Sequence, residues 1–165
     1  MNVTFSANNA NVRAAVDQAN IQLQNPAFFQ RIREHAGFDS STASPGQIAQ
    51  LMALSNVMVQ VELYTSRWPW SKALAYEDHR FPSKVFLNSR RLDRSLASIC
   101  ATIIHECVHA LDATEEGLRF GHGDNNPNGK ENTAPYWIGD LAFEMVHGSA
   151  PEFAQPFADM DSEWA

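Results

Sequence analysis

The chain has 165 residues, 44% of them apolar and 19% charged, with 12 Lys+Arg against 19 Asp+Glu for a net charge of −7. That length and composition fit one domain, residues 1–165, able to bury its own core, and exclude wholesale disorder. The acidic balance argues against a nucleic-acid-binding surface and against docking on an anionic membrane face.

Residues 1–20 lack the charged start and continuous apolar block of a signal peptide. No stretch approaches the roughly 18 apolar residues needed to cross a bilayer. The two cysteines, Cys100 and Cys107, fall in one helical segment. Seven helical steps of about 1.5 Å put them roughly 10 Å apart, too far for a disulfide, so both are expected to be free thiols. A cytoplasmic protein is the expectation, with signal-independent secretion as an effector left open.

Residues 8–36 read as two helices, with Val12, Val16, Ala19 and Leu23 on one face of the first. Asn25-Pro26 ends the first and opens the second, and Gly37 closes the second. The polar run 39–44 is a loop. Ser44 then caps a helix with Pro45 at its first position and Ile48, Leu51, Met52 and Leu54 along it. Strand character follows at 57–64, which is rich in β-branched residues and alternates in its second half. Residues 68–82 look irregular, and Trp68 and Trp70 within them are expected to lid the core, because aromatics carry so much area to bury.

A second short strand is read at 84–88, Lys84-Val85-Phe86-Leu87-Asn88. Asp93 or Ser95 can cap a long helix, about 95–113, with its stop signalled by Gly117. The glycine-rich stretch 121–129 is a polar loop. A last helix spans about 134–147, with Pro135 in its first turn and Gly148 as its stop. Phe153, Phe157 and Trp164 in the tail are expected to pack back onto the body. Helices, a small mixed sheet, a long helix, a loop and a last helix make the fold class α+β.

Chemistry enters in the long helix, at His105-Glu106-Cys107-Val108-His109. Residues i and i+4 lie one above the other on a helix, so both imidazoles of this HExxH string point the same way and can hold one zinc ion. Glu106 sits about 100° round, near the open side of such a metal, where it can take a proton from water and pass it on. An accidental match is expected in on the order of one chain of this size in a few hundred. The rest of the helix supports the metal reading. With His105 at the origin and about 100° per residue, Leu96, Cys100, Ile103, Ile104, Cys107 and Leu111 form an apolar face. Ser98, Ala101, Thr102, His109 and Asp112 share the histidine side, which suits the floor of a cleft.

In this segment, from Lys84-Val85-Phe86-Leu87-Asn88 through Ser95 to Asp112, the chain resembles the HExxH zinc metallopeptidases, the zincins. The resemblance implies a Zn2+ cofactor, Glu106 as general base and acid, and a peptide or protein substrate paired with an edge strand near 84–88. It covers about a fifth of the chain and identifies no subfamily.

A catalytic zinc usually takes three protein ligands and a water. The metzincin pattern places a glycine and a third ligand within about six residues of the second histidine. Here the next histidine is His122, 122 − 109 = 13 residues on. Gly117-Leu118-Arg119-Phe120-Gly121-His122 looks like the end of that pattern displaced by an insertion, and His122 is the first choice. Asp140 and Glu144, four apart on the last helix, form the thermolysin-like alternative; Asp124 and Glu131 are further ones. Tyr136, His147 and Arg119 are candidate oxyanion stabilisers. Asp112 reads either as an acceptor for a zinc histidine or as an exposed helix-end carboxylate. Cys107 reads as a buried thiol, His35 and His79 as surface histidines, and 124–128 as a turn or a cleft wall.

The expected function is peptide hydrolysis by zinc-activated water. The rivals are a zinc hydrolase for a non-peptide or cell-wall amide, and a non-catalytic zincin-like module.

Overall fold

The computed structural model describes residues 1–78, 80–123 and 128–148. Its elements run β1 (Asn2–Phe5), α1 (Ala10–Gln22), α2 (Pro26–Arg33), α3 (Pro45–Leu54), β2 (Met58–Tyr64), β3 (Ala75–Glu77), β4 (Lys84–Asn88), α4 (Leu96–Asp112) and α5 (Ala134–His147). A 3-10 turn, Ser89–Arg91, joins β4 to the approach of α4. Five helices and a four-stranded mixed sheet make the fold α+β. No helix among the described residues is long and apolar enough to cross a membrane. The tail beyond 148, His79 and the loop residues 124–127 lie outside the described residues, and with them the expected packing of Phe153, Phe157 and Trp164.

Local chemistry sets most helix ends. Asn25 accepts from the Ala27 N–H and Pro26 follows it, so the break between α1 and α2 falls where expected. Ser44 and Gln47 form a reciprocal capping box at α3. Ser95, rather than Asp93, caps α4 by accepting from the Ser98 N–H. Gly148 ends α5 in the left-handed conformation, at φ 81°. Two expected stops move. The second helix ends at Arg33 with Glu34 as its cap, four residues before Gly37, and α4 ends at Asp112, short of Gly117.

The sheet order is β1-β2-β4-β3, with β1, β2 and β4 parallel and β3 antiparallel to β4. Residues 84–88 therefore form an inner strand, which corrects the expectation of an edge there. The edges are β1 and β3, two elements of four and three residues, too short for alternation to reveal them. Val3, Val59, Val61, Val85 and Leu87 all point from the sheet into one core.

That core surrounds α4, which packs on α1, α5 and the sheet. Ile99, Ile103, Ile104, Cys107 and Leu111 are fully buried, and so are Ala101, Thr102 and His105 on the opposite side. The histidine face is thus covered by protein, not laid open as a broad cleft floor. Leu96, placed on the apolar face by its angle, is 39% exposed at the first turn. Both cysteines are free and buried, as expected. Trp68 and Trp70 do not lid the core: they stack on each other at 5.3 Å and are 51% and 72% exposed.

Candidate metal centre

His105 and His109 are one turn apart on α4, which brings their ring centroids to 5.0 Å. The third histidine arrives from the loop after α4, and that loop is pinned on two sides. The Thr42 N–H donates to the Arg119 carbonyl at 2.7 Å, and the Arg119 N–H donates back to Thr42 Oγ1 at 2.9 Å. The Phe120 N–H donates to Asp112 Oδ1 at 2.7 Å, while its side chain is fully buried. Gly121 then threads the remaining gap. A Cβ there would stand 2.9 Å from Asp112 Oδ2 and 3.5 Å from His109 Nδ1, so space, not backbone dihedral, demands glycine. The next residue, His122, sets its Nε2 2.8 Å from His109 Nε2.

One nitrogen from each of His105, His109 and His122 lies within 4.8 Å of the others, close enough to hold a metal ion. Metal–nitrogen bonds of about 2.0–2.1 Å separate tetrahedral ligands by roughly 3.4 Å, which the observed 2.8–4.8 Å brackets. The electrostatics fit as well. Burial pushes His105 well below its usual pKa, His109 and His122 add to that, and a hydrogen bond with the Pro135 backbone opposes it. His109 is lowered to about 3 by burial, then by His122 and Lys130. A divalent cation requires the neutral imidazole of a histidine ligand, and burial favours that form at His105 and His109. Glu106 is buried beside them, at 1% exposure.

Tyr136 completes the cluster from the first turn of α5. Its ring packs 4.6 Å from His105 and 5.0 Å from His122, centroid to centroid. The start of α5 is fixed by Asn132, which donates to the Gly37 carbonyl and to Asp39 Oδ1. His35 bonds Asn132 Oδ1 at 2.8 Å and stacks between Phe38 and Trp137. It is a tie between two loops, not the plain surface histidine expected.

The other sequence candidates stand apart from this cluster. Glu144 pairs with Arg31 at 3.3 Å, and Asp140 lines a cavity of about 130 Å³ with Arg31, Trp137, Leu141 and Glu144. That is the α2 side of α5. Glu131 is exposed and acts on Asp140, whose carboxyl is raised to about 6 by burial first and by Glu131 second. His147 stacks on Phe143 at the far end of α5. Arg119 contributes its backbone to the loop anchor while its side chain is exposed. Cys107 is a buried thiol, raised in pKa chiefly by burial. Asp124 lies outside the described residues. Asp112 is half-buried, not an exposed helix-end carboxylate, and its Oδ1 anchors the ligand loop while Oδ2 lies on the Gly121 side with His109 Nδ1. Thr42 gives no signal in the sequence, whereas Phe120, a lone large apolar residue between glycines, is a legible anchor.

No protein family, curated protein or solved structure matches the chain.

Proposed function

We propose that the protein is a zinc-dependent metallopeptidase, built on a zincin-like arrangement and acting on peptide bonds. The observation that carries this reading is the meeting of His122 with both histidines of an HExxH helix, at 2.8 Å from His109. Zinc is the metal we infer, because three imidazoles are a common donor set for it. Among the described residues the cluster has three members, the number of protein ligands a catalytic zinc usually takes alongside water.

When bound, zinc supplies Lewis acidity and lowers the pKa of water toward neutrality. The chain's own residues do the rest. Glu106 accepts the proton of the attacking water and returns it to the leaving amine. Its burial keeps bulk water from competing for that proton. Tyr136, whose ring packs against two of the three histidines, is the residue we assign to donate to the developing oxyanion. His147, the last residue of α5, and Arg119 are both exposed and are the less favoured donors.

Glu106→Gln keeps the shape of the side chain and removes the base. Elemental analysis should find equal zinc in the two proteins, and mass spectrometry of a peptide library should find cleavage by the wild type alone. Turnover that survives in Glu106→Gln overturns the mechanism. Zinc bound at full occupancy without cleavage by either protein favours the non-catalytic module instead.

A further inference from the structure

The net charge hides a steep asymmetry. Residues 67–94 hold Arg67, Lys72, Arg80, Lys84, Arg90, Arg91 and Arg94 against Glu77, Asp78 and Asp93, so this segment carries 7 − 3 = +4. The remaining residues hold 5 basic against 16 acidic groups, or −11. Within the basic segment, Arg80 and Lys84 are spent on ion pairs with Asp78 and Glu62. The others have no such partner among the described residues. Arg90 donates to the Ser66 carbonyl at 3.3 Å, and Arg91 donates through Nε to the Ser71 carbonyl at 2.7 Å. Arg67 lies over the Trp68 ring at 5.7 Å, and Lys72 is exposed. Backbone carbonyls therefore hold the guanidinium groups in place without neutralising them. Asp93 is an exposed acid close by in sequence.

The same turn, 66–71, presents the two stacked tryptophans. Trp68 meets both Arg67 and Trp70, and Trp70 is left 72% exposed. Large exposed aromatics beside an arginine are what a binding anchor looks like. The chain runs from Trp70 and Lys72 directly into β3, whose outer side has no strand partner among the described residues. An unpaired strand edge accepts an extended polypeptide through backbone hydrogen bonds.

We propose that this face docks an acidic stretch of the polypeptide substrate, with Trp70 as its apolar anchor and Arg67, Lys72, Arg90 and Arg91 facing its carboxylates. The inference rests on the peptidase reading and adds to it the class of substrate: a protein carrying an acidic stretch with an apolar side chain for Trp70. A long nucleic acid is disfavoured as the occupant. It cannot use the strand edge, and it would extend over a body of charge −11 that repels it.

Binding can be read without turnover, on full-length Glu106→Gln protein by fluorescence anisotropy. The probes are a labelled peptide of alternating glutamate and phenylalanine, its glutamine counterpart, and a labelled single-stranded oligonucleotide. The acidic peptide should bind at least about tenfold more tightly than the glutamine peptide. The difference should shrink as the Debye length falls from about 10 Å at 0.1 M salt to about 3 Å at 1 M. Arg67→Ala and Trp70→Ala should each weaken the acidic peptide several-fold while leaving cleavage of a short neutral peptide by the otherwise wild-type enzyme unchanged. Equal binding of the two peptides, or an oligonucleotide that binds more tightly than the acidic peptide, overturns the proposal. So does indifference to both substitutions. Failure of the peptidase reading is a separate outcome, because it appears as absent cleavage with these affinities intact.

Discussion

At the scale of single residues, the centre depends on a position that does no chemistry. Gly121 lies between the loop anchor and the ligand, with room for a hydrogen and no more: Asp112 Oδ2 would be 2.9 Å from an added Cβ. Alanine at 121 must displace either the Asp112 carboxylate or the loop. Moving Asp112 breaks its bond to the Phe120 N–H, and moving the loop withdraws His122 from His109. Gly121→Ala should therefore cost about 1–3 kcal/mol of stability, the range for overpacking a filled site. It should also weaken zinc binding by at least about tenfold, since one of three ligands is misplaced. A competition titration with a zinc chelator measures the second effect and thermal unfolding the first. Unaltered zinc affinity would show that the loop has slack that the geometry does not reveal. Alanine at Gly46, where the nearest atom to an added Cβ is Ser44 Oγ at 4.0 Å, serves as the control that should leave zinc affinity unchanged.

At the scale of elements, α5 divides its labour between its two sides. Tyr136 faces the histidines, while Asp140 and Glu144 face α2, where Arg31 waits. Asp140 is the strained member: burial first and Glu131 second raise its carboxyl from 3.8 to about 6. Its folded-state pKa is above the unfolded one, so folding favours the protonated form. This contribution to stability is fully present below 3.8 and is lost as pH rises through about 6. Asp140→Asn removes the titration while keeping the shape. It should gain on the order of 1 kcal/mol at about pH 8, discounted for partial exposure, and close to nothing near pH 4. Unfolding midpoints of the two proteins at both pH values test this; an equal gain at both would mean that charge is not the cause. The same helix shows what a sequence can and cannot reveal. Pro135 and Gly148 mark its ends by local chemistry, and the starts of α3 and α4 are marked by Ser44 and Ser95. Which side of α5 meets the metal is not local, because it depends on the partners that fold around it. Hence Asp140 and Glu144 look like ligands by spacing alone. The histidine pair is legible because its geometry is internal to one helix. His122 is legible only as a candidate, because the bonds that bring it home come from Thr42, some 80 residues upstream. The edge strands are illegible for a simpler reason: three or four residues carry no period.

At the scale of the whole molecule, the three histidines tie together parts of the chain that are remote in sequence. α4 runs through the middle of a core that extends from Val3 to Ala142 without a break. The His122 loop is held by the segment between α2 and α3, and the start of α5 by the segment after α2. A metal at this junction is therefore bound by the native fold and by nothing short of it, so its binding energy adds to global stability. The apo-protein should still fold, because its hydrophobic core includes none of the three histidines. Zinc at about a thousand times its dissociation constant should then add about 4 kcal/mol. For a chain of this size that is a rise of roughly 10 °C in Tm, reversed by a chelator. His122→Ala should fold and should lose most of that zinc-dependent rise. The pair of measurements separates two pictures of the site. If His122→Ala retains the full rise, zinc is held by α4 and a group other than His122, and the loop anchored by Thr42, Asp112 and Gly121 serves packing alone. If the rise disappears with His122, the distant N-terminal segment is part of the metal centre, because it holds in place the loop that supplies the third ligand.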